Sequence, residues 1–155
     1  MFFKVKRKDK KMKKPLIALC MAGVLAVMTS CGTARNAAST LGALDGEWKI
    51  TTIDGQALTQ KAGEKEAFIG FSVKDNRLYG CTGCNNLVGG IQADPKKGTM
   101  SFGQTGSTRM MCPDMETENK VLGAMGKIEK YEITAGGKMN LKTADGKTVM
   151  TLEKR

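Results

Sequence analysis

The 155-residue chain contains no histidine. That removes the usual general base, the serine triad and histidine-ligated metal hydrolysis. Carboxylate or lysine chemistry is what remains, and Asp114, Glu116 and Glu118 have a ready structural use at the start of a helix. No pair of carboxylates is otherwise marked out, so no catalytic residue is assigned and no enzyme is expected. A phosphate-cradling loop is also missing, because the glycine-rich residues 80–90 lack a following Lys-Ser/Thr and helix. No long internal repeat is present. The main apolar stretch, residues 16–28, has 13 uncharged residues, too few for a membrane-spanning helix of about 20.

Positive charge is abundant but unevenly placed. The chain has 25 basic and 15 acidic residues, a net of +10. Residues 1–30 hold eight basic residues against Asp9 alone, or +7, and residues 31–155 hold 17 against 14, or +3. Nucleic-acid binding needs a dense basic face. A charge of +3 with both signs interleaved does not supply one, so no nucleic-acid partner is expected.

The first 30 residues read as an export signal. Residues 4–14 form a basic region and residues 16–28 an apolar one. Met28-Thr29-Ser30-Cys31-Gly32 follows and resembles a lipobox: an apolar residue, two small residues, then cysteine. Small residues admit the backbone to a peptidase cleft, and the Cys31 thiol takes the lipid. Met12-Lys13-Lys14-Pro15 is a compact start in its own right, so translation from Met12 is expected as an alternative to Met1. One acyl chain anchors only marginally; bacterial lipoproteins of this type carry three. Gly32 rather than Asp after the cysteine resembles outer-membrane sorting, and the absence of an acidic run after Cys31 suggests a face toward the periplasm.

Residues 32–43 are small and polar, without an apolar period, and read as a flexible tether. A single compact unit is expected over residues 44–155, mainly β within the α+β class: short antiparallel strands with one packed helix. Trp48, Ile50 and Thr52 alternate over residues 47–53. Further strands are expected over residues 67–73, 77–79, 87–93, 99–102 and 108–111. Near the end, Tyr131 and Ile133, Met139 and Leu141, and Met150 and Leu152 predict a three-stranded meander. Asp145-Gly146 between two of these runs favours a type I′ turn. The helix follows Pro113, with Asp114 as cap. Glu116, Glu118 and Lys127 match its dipole, and Met115, Leu122, Met125 and Ile128 form its apolar face. Gly123 and Gly126 each cost about 1 kcal/mol relative to alanine, so this helix needs packing against the sheet.

Three stretches occur in order: Leu44-Asp45-Gly46-Glu47-Trp48, then Gly83-Cys84-Asn85-Asn86 with Gly89, then Ser107-Thr108-Arg109-Met110-Met111-Cys112-Pro113 before the helix. Together they resemble the META (HslJ-like) domain. The resemblance covers about residues 44–153 and implies a compact, mainly β domain with a packed helix. It also implies secretion or envelope anchoring, no established catalysis, and association with heat shock and antibiotic tolerance. Cys81 departs from the pattern by making a Cys-x-x-Cys with Cys84.

Of five cysteines, Cys20 leaves with the signal and Cys31 takes the lipid, so Cys81, Cys84 and Cys112 remain. An oxidising compartment favours pairing. The resemblance implies Cys84–Cys112, since each family motif carries one cysteine. Cys81–Cys112 and Cys81–Cys84 stay open. Closing a loop of about 29 residues stabilises by roughly 3–4 kcal/mol in the chain-entropy model. The competing reading is a thiol-redox or soft-metal-handling protein using all three cysteines. Redox Cys-x-x-Cys pairs open a helix in a βαβ setting, whereas Gly83 and Asn85-Asn86 mark a strand or turn. For zinc, a fourth ligand would have to be a carboxylate. Met110, Met111, Cys112 and Met115 suit Cu(I), but methionine also fills cores. No metal or cofactor is assigned. Asn85 and Arg109 are candidates for a ligand patch beside the cysteines; the plainer expectation is that Asn85 satisfies its own turn and Arg109 pairs with a nearby acid. The expected partners are a membrane, through the lipid on Cys31, and an envelope protein of unknown identity.

Overall fold

The structure is a computed structural model and describes residues 40–155. The signal, Cys31, the Met12 start and residues 32–39 of the tether lie outside the described residues. Leu41–Leu44 form a helical turn (α1) where the composition reads as tether, and Leu44 is buried. Trp48 fixes this entry by donating its indole N–H to the Leu44 carbonyl at 2.7 Å.

Nine strands follow. They are β1 Gly46–Ile53, β2 Gln56–Ala57, β3 Phe68–Ser72, β4 Arg77–Cys81, β5 Asn86–Asp94, β6 Thr99–Ser107, β7 Lys130–Ile133, β8 Lys138–Lys142 and β9 Thr148–Lys154. One helix, α2 Glu116–Met125, lies between β6 and β7. All pairings are antiparallel, in the order β2-β1-β3-β4-β5-β6-β7-β8-β9, and a β1–β9 ladder closes the sheet on itself. The β1–β9 ladder pairs the outer strand of the C-terminal meander, whereas β6 meets β7 only at Thr99 and keeps the rest of that edge unpaired. The enclosed core is built from Phe71, Leu78, Leu87, Met100, Leu141 and Leu152, with Val121 contributed by the helix.

Local chemistry explains where strands bend. The alternation in β1 does not continue to Thr52. A bulge opposite β9 between Ile50 and Thr52 adds a residue, so Ile53 takes the inward place. The expected meander forms as β7, β8 and β9. Its last turn is not type I′, because Asp145 is not among the residues with positive φ. Instead Gly146 N–H bonds the Thr143 carbonyl at 3.0 Å and Gly146 alone is left-handed, at φ 91°. That is a type I turn followed by a glycine bulge. Positive φ at two successive positions occurs at Asp54 (47°) and Gly55 (80°), between β1 and β2.

Two strand assignments also change. Residues 99–102 and 108–111 are not two strands. Strand β6 continues to Ser107 against β5, with a register shift between Phe102 and Thr105, and residues 108–111 leave the sheet. The helix face is shifted: Met125 and, just past the helix end, Ile128 are buried as expected, but Met115 and Leu122 are not. Thr117, Glu118, Val121, Ala124 and Met125 are buried, Leu122 is only half-buried, and Met115 stands at the N-cap.

Gly80 is demanded by packing between strands. A Cβ there would lie 2.2 Å from the Phe68 carbonyl oxygen. Gly80→Ala must therefore pull β4 away from β3, and its cost should exceed about 2 kcal/mol. Urea unfolding with an unchanged m-value checks this. Gly103→Ala serves as control, since a Cβ there meets nothing closer than 3.8 Å.

Candidate functional site

The cysteines, Asn85, Arg109 and the acids singled out in the sequence converge at the β4–β5 turn, the loop after β6 and the start of α2. Thr82 closes the turn by placing its backbone N–H 2.9 Å and its hydroxyl 3.0 Å from the Asn85 carbonyl. Gly83 adopts φ 102°, and a Cβ on it would lie 2.9 Å from Thr117 Cγ2, so the helix packs directly on the turn.

Asn85 is the centre of the arrangement. Its Nδ2 donates to Glu118 Oε2 at 2.8 Å and to the Met110 carbonyl at 3.2 Å. Its Oδ1 accepts from the Thr108 hydroxyl and from the Met110 N–H, both at 2.7 Å. A side-chain amide has two donors and an acceptor oxygen with two lone pairs, so this one is fully used. Glu118 Oε2 also accepts from the Asn85 N–H at 3.2 Å and lies 3.1 Å from the Thr82 hydroxyl. Glu118 is therefore a buried carboxyl that ties the helix to the turn. Its helix position suggests an exposed acid complementing the dipole; the signal against that is its spacing, three before Val121 and seven before Met125, on the buried stripe.

The structure joins Cys84 to Cys112 in a disulfide, with Cα atoms 6.1 Å apart. Cys81 is buried on β4 with a free thiol, opposite Phe68 and Asn86 in register. The Cys-x-x-Cys does not close on itself, and it sits at a strand end rather than at a helix start. Among the described residues, no three His, Cys, Asp or Glu side chains gather to hold a metal.

The bridge and Asn85 together fix residues 108–112 from both ends. Between the two ties the loop points outward: Met110 is 56 % exposed and Met111 99 %. Arg109 is exposed and makes no ion pair with the described residues. Asn85, 1 % exposed, and Arg109 therefore do not share a surface patch. Asn85 supports the loop from within, and Arg109 sits on its outside.

A charged cluster borders the loop. Lys61 Nζ lies 2.6 Å from both Asp114 Oδ2 and Glu116 Oε2, and Lys120 lies 2.7 Å from Glu116. The hydrogen bond from Lys61, then that from the Glu116 N–H, hold the Asp114 carboxyl below its ordinary value. Lys120 first and Lys61 next lower Glu116, and the same bonds to Asp114 and Glu116 raise Lys61. Asp114 is not the N-cap, which is Met115 without a side-chain capping bond; one residue earlier, Asp114 Oδ1 accepts the Glu116 N–H at 2.8 Å. All three groups are well exposed, so the cluster positions the 58–65 loop more than it stabilises the fold.

A small closed antiparallel sheet with one helix, and a disulfide joining a sheet turn to the loop before that helix, defines the class of domain. Residues 39–155 match the family model of the META domain, and the chain belongs to that family. No curated protein matches the sequence. Among solved structures, the fold is similar to an NMR structure of a protein from Burkholderia xenovorans, at TM-score 0.60 and 22 % identity over 93 % of this chain and 99 % of that one. A second NMR structure gives TM-score 0.57 and 20 % identity over 74 % and 94 %. A crystal structure of a DUF4847 family protein from Bacteroides vulgatus gives 0.51 and 17 % over 72 % and 94 %. At these identities the likeness speaks to the fold alone.

Proposed function

We propose that the protein is a lipid-anchored component of the bacterial cell envelope whose META domain works by non-enzymatic interaction, in envelope-stress or antibiotic tolerance. The interaction reading is carried by one observation. The loop bearing Arg109, Met110 and Met111 is fixed by a disulfide and by Asn85, yet presents large apolar side chains to solvent. Pre-organising a contact surface lowers the entropy lost on binding. The anchor reading rests on Cys31 following an apolar run and two small residues. A structural disulfide in the domain fits an oxidising compartment. Gly32 favours the outer membrane, with the domain facing the periplasm.

Expression of the full chain in a Gram-negative host tests the anchor. Intact-mass analysis should find a mature N-terminus at Cys31 carrying three acyl chains, in the outer-membrane fraction, and Cys31→Ala should leave an uncleaved precursor. A mature N-terminus elsewhere overturns the anchor. A photocrosslinker at Met111 should capture an envelope protein in living cells, and Arg109→Glu should abolish the adduct. The same adducts from a crosslinker at Asp145, or none at Met111, would overturn the loop as contact surface.

A further inference from the structure

We infer a second binding site, independent of the loop and of the anchor: the cleft between β6 and α2 takes a short extended segment of another polypeptide as an added strand. Strand β6 is paired with β5 over Thr99–Phe102 and Thr105–Ser107, on either side of an irregularity at Gly103-Gln104, but with β7 only at Thr99. After the Met100 N–H bonds the Glu129 carbonyl at 2.9 Å, no backbone bond outside the β5 ladder involves residues 101–107, among the described residues. Where the next strand would lie, the C-terminal half of α2 stands off from the edge. The result is a cleft of about 450 Å³.

Its chemistry selects the occupant. One wall is an open strand edge of main-chain donors and acceptors, and another main chain is what complements these at strand spacing. The opposite wall offers Leu122, Met125 and Ile128. No lining residue is charged, so a charged segment entering it would lose hydration without gaining a partner. Along the edge, Ser101, Gly103 and Gly106 leave room for a backbone to approach. The fold itself does not require the two glycines. Neither has positive φ, and a Cβ would meet nothing nearer than 3.8 Å at Gly103 or 3.9 Å at Gly106. Seven residues of edge span roughly 20 Å, which suits a segment of about five uncharged residues with apolar side chains turned toward Leu122. A second copy joined edge to edge fits poorly, because each copy's own α2 stands along that edge. The chain's residues 33–39 carry Arg35, which the uncharged lining does not match.

The probe is a phage-displayed random twelve-residue peptide library, selected on the disulfide-intact chain from residue 31. The best peptide is then titrated into 15N-labelled protein. The expected result is chemical-shift change and slowed amide exchange confined to residues 101–107 and the facing turn of α2. Gly106→Glu and Leu122→Lys should each weaken binding at least tenfold, and Met111→Ser should leave it unchanged. Gly106 is exposed, so Gly106→Glu keeps the test valid if Leu122→Lys unfolds. The proposal fails if no peptide is selected, or if the shifts map to the 108–112 loop. It also fails if residues 101–107 are already protected in the free protein and lose that protection on dilution or on deletion of residues 33–39.

Discussion

Asn85→Ala is expected to lower the unfolding free energy by about 3 kcal/mol, a large loss at a polar residue. The side chain makes four hydrogen bonds, two donated and two accepted. Each such bond is worth about 1 kcal/mol net. Water entering the truncated site recovers part of the sum for Met110 and Thr108, which border solvent. It recovers less for Glu118, which is 5 % exposed. Two controls separate this account from simple packing. Asn85→Asp keeps size and both accepting bonds but turns an oxygen toward Glu118 Oε2, so it should cost at least as much as alanine. Glu118→Gln keeps an acceptor for Thr82 and the turn, and should cost only about 1 kcal/mol. Because the residues share one network, the Asn85→Ala, Glu118→Ala pair should fall short of the summed single losses by at least about 1 kcal/mol. Guanidinium unfolding measures all of these. A cost for Asn85→Ala under about 1 kcal/mol would mean that the buried amide does not hold the turn, loop and helix together.

This network also marks where the sequence was legible and where it was not. Alternation and glycine turns identify most of the sheet, because the longer strands have one face in the core and period two survives in much of the sequence. It fails at Thr52, where a bulge shifts the parity, and a bulge has no signature in composition. It fails again at residues 108–111, whose β-like pattern is overridden by one distant amide: Asn85 takes the Met110 N–H and carbonyl that a ladder would have used. Pro113, the acids of the first turn and the apolar residues locate the helix, and they give Glu118 a role only as a dipole charge. Its carboxyl is inside because Thr82 and Asn85, 36 and 33 residues earlier, bring donors to it. Closure of the sheet by β1 and β9 is likewise non-local. The cleft beside β6 was not legible at all, since it arises from a strand outrunning its neighbour.

Reduction of Cys84–Cys112, or the Cys84→Ser, Cys112→Ser pair, is expected to cost about 3–4 kcal/mol through the entropy regained by the unfolded chain over a separation of 28 residues. For a domain of this size that corresponds to a melting point lower by roughly 15 °C. Differential scanning calorimetry with and without reductant measures it. Cys81→Ala should behave differently. Its thiol is buried and unpaired, so its loss should cost only about 1 kcal/mol of packing and leave the reductant-dependent shift intact. A shift abolished by Cys81→Ala would place Cys81 in the native bridge and overturn the pairing. Free Cys81 competes only once the chain unfolds, so oxidative refolding should yield more native protein from Cys81→Ala than from the parent. The bridge and Asn85 hold the same loop from opposite ends. Reduction alone should therefore leave the Met110 amide, bonded to Asn85 Oδ1 at 2.7 Å, still protected from exchange. Reduction of the Asn85→Ala variant should free it, and with it the fixed presentation of Arg109 and Met111.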